Sequence, residues 1–529
     1  MDGRHGRMGL GGFEQLKGRP DLTSTAGRPA ASSYSTVQQQ DYLASVWLSK
    51  KEKKLEHSQQ KCIVIFALVC CFAVLVALIF SAVDVLGEDE DGINEENCSR
   101  DCKAVLVQNI PDRIFISHED TMPLTTGLES LLNRARKSVE IVSPLWALNS
   151  TDHWSHYTYG RQGQHLLKEL MDLKSKNVHL RVVYGLQNNT IAPELKLLSK
   201  YGAEVHDVNM TALTTGELHS SFWVVDRKHM YIGSADMDWR SLSTRKELGV
   251  IIYDCSCLVL DLHRIFSLYK QLQYRDFVPA IWSKRLAALY NKEKALSFQL
   301  NGTNTTAFFS SSPDKFSPKD RNRDLQAIIH VIQEAREFIY ISITDYLPLI
   351  IQNSHNKYWS RIDEMLREAL ILKHIEIRML ISCRQQTHPL TSNFMWSLKS
   401  LCMEMSNCSM EVKFFIPWLL QDGSLIGTNH HRYMVTDKSV YIGNFDWVAN
   451  EFLVNAGTGL VISKAKDERS FSLGEQLKGV FERDWQSTHS KTLQPSKIPT
   501  CSTNTVFPSP LLKSQKSQTE HENGPNASL

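Results

Sequence analysis

Two histidine motifs recur in this chain with the same spacing. His219 precedes Asp226, and His430 precedes Asp437, by the same number of positions. Histidine can transfer protons near neutral pH and can also act as a nucleophile. A His–Asp pair that occurs in both halves of one chain predicts two half-sites that meet across a pseudo-twofold axis. Such paired histidines indicate phosphodiester chemistry.

The position two residues after each histidine departs from what phosphate binding requires. It holds Ser221 in the first motif and Arg432 in the second, where lysine would be expected. Serine removes a full positive charge. Arginine keeps the charge, but its planar guanidinium differs from an ammonium in reach and geometry. The sequence therefore predicts a phosphodiesterase-like framework that is altered where the phosphate would bind.

Each motif is followed by a Tyr-Ile-Gly turn that leads to an aspartate, Asp236 in the first half and Asp446 in the second. An ionised carboxylate cannot donate a hydrogen bond to a phosphate oxygen, and it repels the phosphate. We expect these carboxylates to raise the pKa of both histidines and to form ion pairs with the histidines or with Arg432. The alternative is a cation site, although the spacing matches no known metal motif.

The two motifs resemble those of the phospholipase D superfamily, whose signature is H-x-K-x4-D followed by G-S-x-N, present twice. The resemblance covers nearly all of residues 105–487. The segments FWVVD at 222–226 and DWRSL at 238–242 are similar to the type II membrane branch of that superfamily. In lacking lysine at both motif positions, the chain is most similar to a catalytically inactive member of the branch.

The resemblance implies roles for each motif position. One histidine would attack phosphorus, and the other would protonate the leaving oxygen, without a metal or other cofactor. The aspartate of each motif would orient the imidazole, and the lysine and asparagine positions would hold the phosphate oxygens. The degenerate motif positions are His219, Ser221, Asp226, Asp236, His430, Arg432, Asp437 and Asp446.

These changes predict a pseudoenzyme. Loss of one transition-state donor lowers a rate by roughly 10²–10³, and several such positions are changed together. We therefore expect a binding or scaffolding protein. One alternative is a weakly active phosphodiesterase that acts on lipid or single-stranded nucleic acid through a phosphohistidine, since both histidines and Arg432 remain. Another is a homodimer, or a hetero-oligomer with active relatives, that contributes only surface.

The elements that would position these motifs alternate between apolar runs and amphipathic patterns. This alternation predicts an α/β fold, with two similar halves packed around a largely parallel sheet. The predicted strands are 139–143, 179–184, 221–225, 230–232, 338–343, 375–380, 410–415, 433–436 and 440–442. The predicted helices are 128–137, 163–176, 194–201, 325–335, 360–370 and 391–405.

Residues 62–83 form an uncharged apolar stretch. At about 1.5 Å per residue the stretch crosses the roughly 30 Å hydrocarbon core of a bilayer. Lysines precede it and an acidic run follows it, so the positive-inside rule predicts a cytosolic N-terminus. The body would be lumenal or extracellular, as in a type II single-pass protein of the endoplasmic reticulum, endolysosome or cell surface. A buried core helix is the alternative.

Composition and length agree with this organisation. The chain has 529 residues, an apolar share of 42% and a net charge of +2, so no global field favours nucleic acid. The predicted parts are a disordered cytosolic tail (1–61), the transmembrane helix (62–83), an acidic lumenal stem (84–104), a first half (105–295), a second half (296–487) and a loose C-terminal tail (488–529).

Cysteines and sequons support a lumenal body. Eight cysteines follow the apolar stretch, and an even number in an oxidising compartment predicts disulfides. The pairs Cys98/Cys102 and Cys255/Cys257 could form two neighbouring bridges, with a zinc site as the alternative. The remaining disulfide candidates are Cys383 and Cys501. The glycosylation candidates are Asn149, Asn188, Asn209, Asn301 and Asn304.

Overall fold

The computed structural model divides into two compact units, residues 1–81 and 82–529. It describes residues 61–78, 92–111, 121–149, 159–186, 190–273, 275–352, 355–420, 425–468, 470–494 and 506–507. Outside these ranges lie most of the predicted cytosolic tail and C-terminal tail and the first part of the predicted stem (84–91), together with Asn188 and Cys501.

The described part of the N-terminal unit is one apolar helix. Lys61–Leu78 has a mean hydropathy of 2.9, and its large apolar side chains are exposed. Eighteen residues at about 1.5 Å each give roughly 27 Å, close to the thickness of a hydrocarbon core. In the described residues this is the one helix long and apolar enough to cross a membrane.

The larger unit has a mixed sheet in two sections, flanked by helices. The strands of the first section and its small neighbouring ladder are β1 (Asp101–Asn109), β2 (Met122–Pro123), β3 (Ser138–Val142), β4 (Trp146–Ala147), β5 (His179–Gly185), β6 (Glu204–Val208), β7 (Phe222–Val225), β8 (His229–Gly233), β9 (Met237–Asp238) and β10 (Arg245–Tyr253). Its helices are α1 (Leu124–Arg134), α2 (Arg161–Asp172), α3 (Pro193–Lys200), α4 (Met210–Thr214) and α5 (Ser256–Leu272).

The second section continues the chain. Its strands, with small ladders beside them, are β11 (Leu296–Leu300), β12 (Thr303–Ser312), β13 (Asn322–Arg323), β14 (Phe338–Ile343), β15 (Tyr346–Leu347), β16 (Leu349–Gln352), β17 (His355–Tyr358), β18 (Glu376–Ser382), β19 (Met410–Phe415), β20 (Trp418–Leu420), β21 (Leu425–Ile426), β22 (Thr428–Asn429), β23 (Tyr433–Thr436), β24 (Ser439–Ile442), β25 (Trp447–Val448), β26 (Gly457–Lys464), β27 (Ser490–Thr492) and β28 (Val506–Phe507). Its helices are α6 (Asp324–Glu334), α7 (Arg361–Ile371), α8 (Pro389–Ser400), α9 (Ala449–Val454) and α10 (Ser472–Gln486).

The two sections have the same strand order. The first runs β2-β1-β10-β8-β7-β3-β5-β6, and the second runs β13-β12-β26-β24-β23-β14-β18-β19. Only part of each section is parallel, so the prediction of a largely parallel sheet is wrong. Strands joined by tight turns, such as β7–β8 and β23–β24, can pair only in the antiparallel sense.

Helices cover the sheet through apolar faces. Leu124, Leu128, Leu131 and Leu132 of α1 are buried, at the spacing that places them on one side of a helix. Most predicted elements agree with the structure within a few residues. The predicted helix 391–405 ends earlier, at Ser400, where the chain turns into a loop closed by a disulfide.

Backbone pairing joins the two sections. β1 pairs in parallel with β11, and β10 pairs in parallel with β22. A buried ion pair crosses the same junction, since Lys246 Nζ lies 2.6 Å from Asp484 Oδ2 and both side chains are fully buried. The His431 Nδ1 atom lies 3.5 Å from the same carboxylate oxygen.

Disulfides close the start of the first section onto α5. Cys98 is bonded to Cys257, and Cys102 to Cys255, which agrees with the predicted neighbouring bridges. Cys383 is also disulfide-bonded. A further bridge, Cys402–Cys408, was not among the predicted candidates. Strand β1 begins at residue 101, inside the segment predicted as stem.

Candidate functional site

Both motif histidines lie where the two sections meet. The backbone N–H of His219 donates to the Ala456 carbonyl oxygen at 2.7 Å, and that of His430 donates to the Lys246 carbonyl oxygen at 2.9 Å. The backbone of each histidine is thus hydrogen-bonded to a residue near the start of a strand in the opposite section, Lys246 in β10 or Ala456 just before β26. Asn444 of the second turn donates to the Gly233 carbonyl oxygen of the first turn at 2.8 Å, so the two half-sites are adjacent in one cleft.

The second half-site contains a carboxylate between two arginines. Arg432 Nε lies 3.3 Å from Asp446 Oδ1, and Arg384 Nη2 lies 3.4 Å from Asp446 Oδ2. The backbone N–H of Thr344 also donates to Asp446 Oδ1, at 3.1 Å. The ion pair with Arg432 is one of those predicted from the sequence. The Asp446 carboxylate therefore pairs with the guanidinium groups that a phosphate would need.

Two polar side chains at the motif positions, one from each half, form hydrogen bonds within the protein. The buried Ser221 hydroxyl donates to the Ala235 carbonyl oxygen at 2.5 Å. Asn444, in the second turn, donates through Nδ2 to the Gly233 carbonyl oxygen at 2.8 Å, across the section boundary. The Ser221 hydroxyl hydrogen and one Asn444 N–H are therefore committed to backbone carbonyl groups.

The motif aspartates do not contact the histidines. Asp226 accepts hydrogen bonds from the backbone N–H groups of residues 136–138, at 2.7–2.8 Å. Asp437 accepts them from residues 336–337, at 2.9 and 3.1 Å. The resemblance implies that each motif aspartate orients its imidazole, but in the structure both aspartates bind backbone N–H groups instead. An extended strand separates His219 from Asp226, so the carboxylate lies at the far end of β7 and fixes the start of β3.

A carboxylate that the sequence analysis did not identify lies beside the second histidine. Glu247 Oε1 is 3.6 Å from His430 Nδ1. Ser234 and Ser241 donate their hydroxyl groups to this buried carboxyl group at 2.5 and 2.9 Å. Burial raises the pKa of Glu247 to about 8. The available signal was a glutamate at the start of the apolar run of β10, a position where a charge needs partners.

The first half-site has no carboxylate at the corresponding position. Lys246 and Ala456 accept the equivalent backbone hydrogen bonds, so the residues after them, Glu247 and Gly457, correspond. A Cβ atom at Gly457 would overlap the Phe445 ring. That ring lies edge-on to the first motif histidine, with 5.9 Å between the ring centroids. An aromatic ring therefore lies where the other half-site has an acid.

The amide of Asn455 fixes the first histidine instead. Asn455 Oδ1 accepts the backbone N–H of Glu217 at 2.9 Å, which orients Nδ2 toward His219. Asn455 Nδ2 then lies 3.2 Å from His219 Nε2, so that Nε2 accepts the hydrogen bond. This contact stabilises a neutral imidazole.

The prediction that the aspartates raise both histidine pKa values is wrong. Burial lowers the pKa of His219 to about 4, with the Arg432 charge acting in the same direction and Asp446 opposing it. Burial also lowers the pKa of His430 well below its usual value, and Arg245, Arg432 and Arg384 add to this effect. Desolvation and nearby arginines outweigh the carboxylates.

Asp236 and Asp446, the aspartates of the two turns, lie in different environments. Burial raises the pKa of Asp236 to about 6, although Arg245 and Arg432 oppose the shift. Asp446 instead pairs directly with two guanidinium groups. Across the described ranges, no group of three or more His, Cys, Asp or Glu side chains is placed to hold a metal ion. The cation-site alternative gains no support there.

The fold and the paired histidine motifs define a class. The sequence model of the protein family described as "PLD3/4, PLD-like domain" matches residues 118–417 of this chain. The chain therefore belongs to the phospholipase D family.

Particular relatives refine this assignment. The chain is 51% identical to the protein named "Inactive phospholipase D5" of Mus musculus, over 94% of each chain. It is 35% identical to the "5'-3' exonuclease PLD3" of Xenopus laevis, over 81% of this chain and 89% of that one. Phosphatidylserine synthase of Haemophilus influenzae Rd KW20 aligns with a TM-score of 0.47 and 12% identity, over 75% of this chain and 90% of that one. The predicted resemblance to an inactive phospholipase D, and the prediction of a catalytically inactive protein, are confirmed.

Proposed function

We propose that this inactive phospholipase D-like protein is a membrane-anchored binding or scaffolding protein whose anion site is closed by its own carboxylate. The observation that carries the proposal is the position of Asp446 between Arg432 and Arg384. A phosphate would have to displace a covalently attached anion that is already correctly placed. The binding role then falls to the outer surface of the body, where partners can be a second copy or active relatives.

We further propose that the two halves are copies of one unit, related by a pseudo-twofold axis. The equal strand orders and the reciprocal histidine hydrogen bonds support this. Divergence of the copies accounts for Glu247 having a glycine as its counterpart.

The proposed topology is that of a type II glycoprotein with a lumenal or extracellular body. The apolar helix, the lysines before it and the acidic run after it support this orientation. The two bridges from Cys98 and Cys102 to α5 are typical of an oxidising compartment.

A turnover assay tests the closed site. Purified full-length protein would be incubated with a generic phosphodiester and with a single-stranded oligonucleotide, from acidic to neutral pH. The background is the His219→Ala/His430→Ala variant. A restored variant would carry Ser221→Lys, Arg432→Lys, Asp236→Asn and Asp446→Asn.

We expect the wild type to match the background. Turnover above it would contradict the proposal. Activity in the restored variant would locate the loss in the anion site. If the restored variant is also silent, the missing acid beside the first histidine becomes the next position to change.

A further inference from the structure

The side-chain amide of Asn301 pairs with the backbone of Ala104. Asn301 Oδ1 accepts the Ala104 N–H at 2.9 Å, and Asn301 Nδ2 donates to the Ala104 carbonyl oxygen at 2.9 Å. The backbone N–H of Asn301 donates to the Cys102 carbonyl oxygen at 3.0 Å. Its φ of 51° lies in the left-handed region, which asparagine tolerates. The side chain thus extends the pairing of β1 with β11 by one step.

This pairing uses one particular hydrogen of the amide. The N–H and C=O of one residue in an extended strand point to the same side, toward the same neighbour. The Asn301 amide can contact both only with its oxygen and one N–H hydrogen on a common side. That hydrogen is the one cis to Oδ1.

An N-linked glycan would take the place of that hydrogen. Linking Nδ2 to a sugar carbon converts the primary amide into a secondary one. Secondary amides strongly prefer the trans form, in which the substituent on nitrogen is cis to the oxygen. The sugar at Asn301 would therefore point at the Ala104 carbonyl oxygen, and the pairing with β1 would be lost.

Asn304 begins the next sequon and is free of this restriction. Its Nδ2 donates to Glu468 Oε1 at 2.9 Å, and its backbone N–H donates to the same oxygen at 3.1 Å. No backbone group depends on the Asn304 amide in these contacts. The residue is exposed, and the carboxylate partner belongs to a long side chain that can move.

We infer that Asn304 carries an N-linked glycan and that Asn301, three positions earlier, remains unmodified in the folded protein. The inference rests on the proposed lumenal placement of the body. Both sequons are complete in the sequence, with Thr303 and Thr306 as their third residues. The third residue of the sequon does not distinguish the two sites, so the inference rests on the different contacts of the two amides.

The test is site mapping on the full chain expressed in animal cells. Enzymatic glycan release in heavy-oxygen water labels each asparagine that carried a glycan, and fragmentation of the peptide assigns the label. We expect the label on Asn304 and none on Asn301. The Thr306→Ala variant should lose one glycan. Thr303→Ala, which removes only the Asn301 sequon, should keep every glycan and the same Tm.

A matched variant separates the sequon from the amide pairing. Asn301→Ala should lower the Tm, because it removes both bonds to Ala104, whereas Thr303→Ala should not. A glycan on Asn301 of the folded protein, or an unchanged Tm in Asn301→Ala, would overturn the inference. An unmodified Asn304 would overturn it too. If Asn149 and Asn209 were also unmodified, the proposed lumenal placement would fail with it.

Discussion

The half-site around His430 has a buried acid, whereas the half-site around His219 has an aromatic ring at the corresponding position. Glu247 lies 3.6 Å from His430, with two serine hydroxyl groups bonded to it. The equivalent Gly457 leaves room for Phe445 against His219. Both histidines are present, but His430 has a buried carboxyl group beside it, whereas the Glu217 carboxylate, 3.9 Å from His219 Nε2, is exposed. Retention of a motif residue is thus a poor guide to retention of its chemical environment.

Buried charged residues also distinguish the two half-sites. Lys246 and Glu247 are adjacent in the first section, and their equivalents in the second are Ala456 and Gly457. Lys246 pairs with Asp484, and burial lowers the pKa of this lysine to about 8 while the lysine charge holds the pKa of Asp484 at about 2. These charged groups help to fix the junction around His430.

The largest expected effect comes from breaking this buried pair. Lys246→Met removes the cation 2.6 Å from Asp484 Oδ2 and leaves the buried carboxylate with Arg483, 3.2 Å from Oδ1, as its cationic partner, which should destabilise the protein by about 3 kcal/mol. Thermal unfolding would measure the loss. The double variant Lys246→Met/Asp484→Leu should recover part of it, because the fully buried pair is removed as a unit and the Arg483 guanidinium, which loses its partner, is partly exposed. Equal stability of the single and double variants would contradict this account of the junction.

The acid beside His430 should give stability a pH dependence. The folded-state pKa of Glu247, about 8, is above its unfolded value, so its contribution is fully present below pH 4.5 and is lost as pH rises toward 8. Glu247→Gln cannot ionise at this position. Its free energy of unfolding, compared with that of the wild type, should be about 1–3 kcal/mol higher at pH 8 than at pH 5. Parallel pH titrations of Tm provide the measurement. Identical pH profiles would show that Glu247 stays charged in the fold.

An effect of similar size is expected in the half-site around His219. Gly457→Ala places a methyl group into the Phe445 ring, and such overpacking costs about 1–3 kcal/mol. Chemical denaturation would report the change. Gly457→Ala combined with Phe445→Leu should be less destabilised than the sum of the two single changes. Additive losses would mean that residue 457 and the Phe445 ring do not pack against each other.

The smallest expected effect concerns binding of an anion to the second half-site. Asp446→Asn removes the carboxylate between Arg432 and Arg384, so inorganic phosphate should bind at least tenfold more tightly, a gain of about 1.4 kcal/mol. Calorimetric titration with phosphate would measure the affinity. Asp437→Asn, which changes a motif aspartate that contacts backbone outside the cleft, should leave it unchanged. A gain in both variants would indicate a general charge effect.

Local sequence patterns predicted the elements that depend on local chemistry. The helix at 325–335 and the strands at 338–343 and 410–415 lie close to the observed α6, β14 and β19, because their apolar spacing matches their burial. The paired bridges of Cys98 and Cys102 were also predictable. Strands β1 and β10 were not predicted, and their pairing brings together segments far apart in the sequence.

The site was predictable in its motif positions and not in its surroundings. Glu247 lies beside His430 and Arg384 beside Asp446, each from a separate strand or loop, and no local spacing marks them. The sign of the histidine pKa shifts depended on burial, which a charge count along the sequence omits. Sequence reasoning therefore identified which side chains changed, and the fold determined how the cleft adjusted to those changes.

The reciprocal hydrogen bonds from each motif histidine to the opposite section have a consequence for cutting the chain. The His219 N–H needs Ala456, and the His430 N–H needs Lys246, so each half supplies the other with part of its backbone framework. A protease nick between α5 and β11 should leave the halves associated without a covalent link between them. Expressed as separate polypeptides, the halves should act as complementary fragments, each soluble and ordered only when the other is present.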